Sequence, residues 1–159
     1  MEHMRISDRG IDLIKTFEGC RLKAYRDSVG VPTIGYGHTA GVKMGATITQ
    51  AQADQYLRED LAAVERTLNK TGVNFRQEQF DALCSWVFNL GAGNYLSSTM
   101  RKKIVLDAPD EEITDQLVKW HHAGGKPLTG LKRRRVAEAN MFLGIDRYYM
   151  DASNNIIKK

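Results

Sequence analysis

The stretch FDALCSWVFNLG, residues 80–91 of a chain of 159, decides the fold. The apolar side chains of Phe80, Leu83, Cys84, Val87 and Leu90 are spaced three or four residues apart and trace one helix face. The other side of this helix carries Trp86 and Phe88. A helix that is apolar almost all round is typical of the centre of a bundle, and the following glycine at 91 can end it. The stretch predicts a helical core.

Two helices are predicted before this core. Ser7 can cap a short helix that ends near Glu18, where Gly19 weakens it. Thr49, with Gln52 in the reciprocal capping position, predicts a long helix to about residue 69. Its expected buried stripe consists of Ala53, Leu57, Leu61, Val64 and Leu68. Shorter helices are expected near residues 95–106, 110–121 and 129–143.

Glycine and β-branched or aromatic residues alternate between Ala24 and Thr39, and this pattern predicts short twisted strands. We expect the only sheet of the protein here, between about residues 24 and 42. The predicted fold class is α+β, mainly helical, as one domain over residues 1–159 with two lobes. A small α+β lobe (5–47), a connecting helix (48–69) and a helical lobe (70–150) should enclose a cleft. We interpret residues 1–3 as a cloning remnant.

The bulk composition is that of a soluble globular protein, with 42% hydrophobic and 26% charged residues. The formal net charge of +4 favours an anionic partner or simply keeps the surface soluble. No apolar run of about 18 residues predicts a membrane span, and the start of the chain shows no signal peptide. We therefore expect synthesis in the cytoplasm, no stable membrane insertion, and Cys20 and Cys84 as reduced thiols.

Glu18 and Asp27 could form the carboxyl pair that glycosidic bond hydrolysis requires. Glu18 is expected beside apolar Phe17 and Leu22, surroundings that would keep it protonated, whereas turn residues around Asp27 would leave it ionised. The hairpin could also fold the Thr33 hydroxyl back towards Asp27, where it could hold a water molecule. From spacing alone, two solvent-exposed acids among the nineteen of the chain are the better explanation.

A longer pattern distinguishes these interpretations. Glu18, eight residues, Asp27, five residues and Thr33, followed directly by IGYGHT at 34–39, resembles the catalytic segment of the tailed-phage lysozymes, or endolysins. The similarity continues through VFNLG with SST at 97–99, and through GLKRRR at 130–135 with Ala137 and Glu138. It covers roughly residues 7–144. The segment 39–49 is shorter than in relatives that insert a helix there, so this side of the cleft should be more open.

The resemblance implies a muramidase that cleaves the β-1,4 bond between N-acetylmuramic acid and N-acetylglucosamine in peptidoglycan. It implies Glu18 as the acid, Asp27 as base or water holder and Thr33 as water positioner, with no cofactor and no metal. It also implies a monomer that reaches the periplasm through a hole-forming membrane partner, a holin, because the apolar export anchor of some relatives is not found.

Four further residues follow from the resemblance. Asn89 and Ser98 could hydrogen-bond the acetamido groups of the glycan, or could equally cap helix ends. His38 is expected against the long helix in a structural contact, with Asp60 as its first-choice partner. No metal site is expected at the adjacent histidines 121 and 122.

The basic cluster at residues 132–135 is interpreted as a solvated helix face with weak attraction to the wall. A non-catalytic wall-binding module would lack the acid that this chain retains. A nucleic-acid-binding protein would explain the charge but not the catalytic pattern. Such a protein is also expected to interleave basic and aromatic residues on one face, and this pattern is not found in the sequence. A chitinase on the same scaffold is the nearest enzymatic alternative.

Overall fold

The structure is a computed structural model that describes residues 3–159. Met1 and Glu2, two of the three residues interpreted as a cloning remnant, lie outside this range. The described chain forms seven helices: α1 Asp8–Glu18, α2 Gln50–Asn69, α3 Gln77–Leu90, α4 Ala92–Ser97, α5 Thr99–Val105, α6 Asp110–Leu117 and α7 Thr129–Leu143. The described chain also contains six strands, which pair in chain order as three antiparallel hairpins. The strands are β1 Arg21–Arg26, β2 Pro32–Gly35, β3 His122–Ala123, β4 Lys126–Pro127, β5 Tyr148–Met150 and β6 Ile156–Lys158. No helix within residues 3–159 is long and apolar enough to cross a bilayer.

The predicted core helix is confirmed as α3. Every residue from Gln79 to Val87 is buried, and α3 packs against α1, α2 and α7. Trp86 is fully buried and meets the ring of Trp120 edge-on, with ring centroids 5.2 Å apart. Its indole N–H donates to the carbonyl of Leu117 at 3.3 Å. The bundle is therefore built around α3, as its all-round apolar sequence predicts.

Helix α1 begins where the sequence predicts, but its capping contact is different. The Ser7 side chain does not cap the helix; its hydroxyl and backbone N–H both donate to Asp81 of α3. The backbone N–H of Ile6 donates to Glu65 of α2 at 2.7 Å. These contacts, together with the packing of α1 on α3, join α1 to the helical lobe. The sequence predicts that the small lobe begins at residue 5, but these contacts place the beginning of that lobe after α1.

Gly10 permits the close approach of α1 and α3. A Cβ placed on Gly10 would lie 2.6 Å from Ile6 Cγ1 and 2.8 Å from Asp81 Cβ. We expect Gly10→Ala to destabilise the protein by about 1–3 kcal/mol through overpacking, although alanine is the better helix former. Gly130→Ala in α7, where a new Cβ meets nothing within 4 Å, is the matched control and should be neutral or stabilising. Urea unfolding measures both, and equal effects would contradict the packing argument.

The small lobe consists of β1, β2 and the loop that leads to α2. Tyr25 pairs with Thr33 across the hairpin, and a bulge lies between Arg21 and Tyr25. The strand starts three residues before the predicted Ala24. The predicted capping box at Thr49 and Gln52 is present, and all five residues of the predicted stripe on α2 are buried. Helix α2 leads from this lobe to the helical lobe and ends at residue 69, as expected.

The prediction of a single sheet is wrong. Two further hairpins lie in the second half, β3–β4 and β5–β6. Their strands contain only two or three residues, too few for an alternating pattern to be recognised. The β5–β6 hairpin is held by α7, because the Asn140 side chain accepts the N–H groups of Arg147 and Tyr148 at 3.0 and 2.9 Å.

Asp115 ties the last hairpin to α6 and makes its stability depend on pH. Its carboxylate accepts hydrogen bonds from the Tyr148 hydroxyl at 2.6 Å and from Lys158 at 3.1 Å. Although partial burial acts to raise it, these two donors hold the pKa of Asp115 below its usual value. This stabilisation is present above the unfolded pKa, about 3.9, and is lost as pH falls through the lower folded value.

Asp115→Asn should therefore lower the free energy of unfolding near pH 7, and by progressively less as pH falls towards 3. Asp107→Asn is the control, because Asp107 is exposed and forms no ion pair within residues 3–159, and its backbone (φ 56°) suits asparagine. Thermal unfolding across this pH range measures the difference. A constant loss for Asp115→Asn at every pH would contradict the assignment.

Candidate active site

A cleft of about 410 Å³ separates the two lobes and has α2 as its floor. Thirteen residues line it: Glu18, Gly37, Thr39, Ala40, Asp60, Ala63, Val64, Thr67, Val87, Phe88, Asn89, Gly91 and Ala92. They come from the end of α1, the loop after β2, one face of α2, the end of α3 and the start of α4. The cleft predicted between two lobes is therefore present. Three of the predicted site residues, Glu18, Asp60 and Asn89, line it, whereas Asp27 and Thr33 are not among its lining residues.

Glu18 is the last residue of α1 and reaches the cleft beside Gly37. Its Oε2 accepts a hydrogen bond from Arg134 Nη1 at 2.5 Å, and 20% of its side chain is exposed. Its Oε1 would lie 3.7 Å from a Cβ placed on Gly37. Phe17 instead packs near the Arg134 guanidinium, 5.8 Å from the ring centroid. The expectation of mainly apolar surroundings for Glu18 is therefore wrong, since its closest partner is a cation.

Asp27 and Thr33 are both connected to the backbone of Val31. Asp27 Oδ1 accepts the N–H groups of Val29 and Val31 at 3.0 and 2.9 Å. The Thr33 hydroxyl is buried and donates to the carbonyl of Val31 at 2.8 Å. The hairpin thus brings both side chains into contact with the backbone of one residue, Val31, and no hydrogen bond joins the two side chains directly. Within residues 3–159, no hydrogen-bond donor contacts Asp27 Oδ2.

A buried charge network lies behind Glu18. Arg134, Arg135 and Glu138, all on α7, are almost completely buried. Glu138 Oε2 accepts from Ser85 at 2.5 Å and from Arg134 Nε at 3.2 Å. Burial raises the pKa of Glu138, and the two guanidiniums oppose that shift. The interpretation of residues 132–135 as a solvated face is therefore wrong for the two arginines at 134 and 135.

Asn89 and Ser98 differ in their positions and in their hydrogen-bond partners. Asn89 lines the cleft, and its Oδ1 accepts a hydrogen bond from Arg135 at 2.8 Å. Ser98 is 2% exposed, accepts the N–H of Arg101 at the start of α5 and donates to the carbonyl of Tyr95. These contacts support helix capping for Ser98, and they leave Asn89 as the one of the pair that faces the cleft.

His38 makes the contact expected of it. Its Nδ1 lies 2.9 Å from Asp60 Oδ2 on α2, and its ring stacks on Tyr56 with centroids 4.2 Å apart. Because His38 follows β2 and Asp60 lines the cleft, this contact holds the small lobe against the floor. This contact supports a structural role for His38, which stays a prediction.

Within residues 3–159, no group of three histidine, cysteine or acidic side chains is arranged to hold a metal ion. Cys20 is exposed and Cys84 is buried, and both are free thiols. Burial raises the pKa of the Cys84 thiol. Neither cysteine lines the cleft.

Sequence reasoning missed the arginines and glutamate of α7 as parts of the site. A signal was present, because Arg134 and Glu138 are four residues apart and Arg135 and Glu138 three, spacings that bring side chains together on a helix. The spacing does not reveal that this face is buried or that it reaches Glu18, which is 116 residues away in the chain.

Comparisons with known proteins agree with this geometry. The model of the phage lysozyme family matches residues 15–138. The endolysin of Acyrthosiphon pisum secondary endosymbiont phage 1 is 46% identical over 145 residues, covering 87% of this chain and 98% of the relative. The endolysin of Salmonella phage P22 is 41% identical, covering 88% and 99%. The muramidase domain of SpmX from Asticaccaulis excentricus superposes with a TM-score of 0.82 at 35% identity, covering 87% and 97%. The chain therefore belongs to the phage lysozyme family of glycoside hydrolases.

Proposed function

We propose that this phage lysozyme is an endolysin that hydrolyses the β-1,4 bond between N-acetylmuramic acid and N-acetylglucosamine and so lyses the host cell. The observation that carries the proposal is Glu18, a carboxyl group at the end of α1 that faces the cleft and is held by a buried arginine. The family match and the lengths covered in the endolysin relatives support peptidoglycan as the substrate.

Glu18 is the proposed proton donor. Arg134 can only donate hydrogen bonds, so the oxygen it holds, Oε2, is the unprotonated one. A proton on this carboxyl group would therefore be carried by Oε1, which lies beside Gly37 and has no hydrogen-bond partner within residues 3–159. A carboxyl oxygen in this position can protonate the leaving glycosidic oxygen as the bond breaks. Glycine at 37 keeps the space beside it open.

Asp27 and Thr33 are the proposed water site. The Thr33 hydroxyl hydrogen is used by the Val31 carbonyl, so its oxygen is left to accept. Asp27 Oδ2 is likewise an acceptor without a partner in the described chain. A water molecule that donates one hydrogen to each would be oriented and made more nucleophilic. Direct attack by this water predicts Glu18 and Asp27 carboxyl groups about 6.5 to 9.5 Å apart, whereas a retaining enzyme needs about 5 to 5.5 Å.

Substitution of Thr33 tests the water site. Thr33→Ala should reduce lysis less than loss of the acid does, because only orientation of the water is affected. Thr33→Glu should place a carboxylate where the water was and trap a covalent glycosyl adduct, visible as added mass on the intact protein. Thr39→Glu adds the same carboxylate at a residue that lines the cleft and should form no adduct. An adduct on the parent protein would contradict direct attack by water.

Mass spectrometry of digested peptidoglycan tests the function itself. We expect fragments with muramic acid at the reducing end, and no comparable release from purified chitin. Reducing-end N-acetylglucosamine, or faster cleavage of chitin, would overturn the muramidase assignment. Binding to walls without any cleavage would instead identify a wall-binding module.

The proposal includes the route to the substrate. We infer synthesis in the host cytoplasm, release through holes made by a holin, and action as a monomer on periplasmic peptidoglycan. Expression of the chain inside a bacterium, with and without a co-expressed holin, tests this route. Lysis is expected only with the holin, and equal lysis without it would contradict the route but not the activity.

A further inference from the structure

The guanidinium of Arg134 contacts Glu18 through only one of its nitrogens. Nη1 donates to Glu18 Oε2 at 2.5 Å, and Glu18 Oε1 has no partner within residues 3–159. Arginine and a carboxylate frequently pair as a fork, in which two nitrogens hold both oxygens. A fork here would occupy Oε1 and favour the ionised carboxylate, so Glu18 could not act as a proton donor. The single contact is therefore a condition for the proposed reaction.

The opposite edge of the guanidinium is held by Ser85 on α3. Arg134 Nε and Nη2 both donate to Ser85 Oγ, at 3.3 and 3.2 Å. Nη2 also donates to the backbone carbonyl of Ser85 at 3.1 Å. Because a guanidinium is planar and rigid, holding its Nε–Nη2 edge on one residue leaves Nη1 to face Glu18. Nη2 is engaged twice by Ser85, and this keeps it from forming the second half of a fork.

The orientation of the Ser85 hydroxyl is fixed by its partners. Arg134 offers only donors, so the hydroxyl hydrogen points away from it and is donated to Glu138 Oε2 at 2.5 Å. Both lone pairs of Oγ are then free to accept from Nε and Nη2. Ser85 is completely buried, so bulk water does not compete for these positions. The hydroxyl therefore uses its whole hydrogen-bonding capacity within the site.

Glu138 is a dependable acceptor for that hydroxyl. Its Oε2 accepts from Ser85 and Arg134, and its Oε1 lies 2.8 Å from Arg135 Nε. A proton on either oxygen would face a donor, so Glu138 is ionised even though burial raises its pKa. A buried network of this kind has few alternative arrangements, because each member restricts the next.

We propose that Ser85 is a positioning residue that limits the contact between Arg134 and Glu18 to one hydrogen bond, and so leaves Glu18 Oε1 free to carry and transfer the proton. The inference rests on the proposed function and adds a residue that acts on the acid through Arg134. Ser85 does not line the cleft. Its effect should therefore fall on the chemical step and not on substrate binding.

Ser85→Ala tests this role, because it removes the hydroxyl and keeps the backbone carbonyl. The Nε–Nη2 edge then loses its shared acceptor, and the guanidinium can turn to bring Nη2 to Glu18 Oε1. We expect kcat on soluble glycan strands to fall about tenfold, the equivalent of one hydrogen bond, with KM within about twofold of the parent. Ser85→Thr retains a hydroxyl and should recover most of the lost kcat.

Thr114→Val is the matched control. Thr114 is also completely buried, and its hydroxyl contacts the carbonyl of Glu111 and the hydroxyl of Tyr148. It lies on α6, outside the cleft. Both variants should unfold at a lower urea concentration than the parent, but Thr114→Val should keep the parent kcat. If Ser85→Ala also keeps the parent kcat, Ser85 is only a structural residue and the proposal is overturned.

A double-mutant cycle shows whether Ser85 acts through Arg134. Lysine at position 134 keeps the charge but cannot form a fork, so Arg134→Lys removes the interaction that Ser85 is proposed to limit. In that background, Ser85→Ala should leave the residual kcat unchanged. Losses that multiply in the double variant would overturn the proposal, because Ser85 would then affect catalysis by another route. If Arg134→Lys does not fold, the loss in Ser85→Ala and its recovery in Ser85→Thr decide the proposal.

The remaining outcomes separate the two levels of the argument. A rise in KM with unchanged kcat in Ser85→Ala would overturn the positioning role, because that pattern indicates weaker substrate binding. Failure of folded Ser85→Thr to recover kcat would overturn it as well. Failure of the parent to cleave the strands would instead overturn the proposed function.

Discussion

Glu18→Gln should slow wall lysis by a factor of about 10² to 10⁴, the usual contribution of general acid catalysis. Glutamine keeps the size of the side chain, and its carbonyl oxygen can still accept the hydrogen bond from Arg134. The fold should therefore persist, while the transferable proton is lost. Clearing of a cell-wall suspension and release of reducing ends measure the effect, and thermal unfolding establishes that the variant is folded.

Glu59→Gln is the matched control for this change. Glu59 is an exposed residue of α2 and accepts a hydrogen bond from Gln55, a contact that glutamine can retain. Glu59→Gln makes the same carboxyl-to-amide replacement as Glu18→Gln, but at a residue outside the cleft. Glu59→Gln should lyse walls at the parent rate. Full lysis by folded Glu18→Gln would show that another group supplies the proton.

Glu138→Met should lower the free energy of unfolding by about 3–5 kcal/mol, because it leaves two buried guanidiniums without their shared carboxylate. The combined replacement of Arg134, Arg135 and Glu138 by methionine removes all three buried charges and should restore stability towards that of the parent. Lysis should remain strongly reduced in the triple variant, because nothing then holds Glu18. Urea unfolding and wall clearing measure the two properties separately.

Glu112→Met is the control for this series. Glu112 has 54% of its side chain exposed, and its contact with Lys103 lies at the surface, so the change should be within about 0.5 kcal/mol of neutral. Parent-like stability of Glu138→Met would show that the network contributes little. A triple variant that recovers activity together with stability would show that the arginines do not position Glu18.

The elements that the sequence predicted well are those with strong local signals. The capping box at Thr49 and the apolar stripe of α2 lie within one helix, and α3 is apolar on nearly every side, so neither depends on distant contacts. The hydrogen bonds of Ser7 to Asp81 join residues 74 positions apart, and no local pattern reveals them. The strands β3 to β6 are too short to carry a periodic signal.

In the candidate site, too, the features with a local sequence signal were predicted and those that depend on distant contacts were not. The motif around Glu18, Asp27 and Thr33 supplied the residue types, and the hairpin places Asp27 and Thr33 against the backbone of the same residue, Val31. Charged side chains are usually solvated, so the burial of Arg134 could not be expected from composition. Its partner Glu18 becomes a neighbour only when α1 and α7 pack around α3.

Because α1 is attached to the helical lobe, the Glu18 and Asp27 carboxyl groups belong to different lobes. Glu18 ends a helix anchored through Asp81 to α3, whereas Asp27 is carried by the β1–β2 hairpin. Any rotation about α2 therefore changes the separation of the Glu18 and Asp27 carboxyl groups without breaking a contact within either lobe. A sugar chain that spans the cleft and contacts both walls would then hold the two carboxyl groups at one separation.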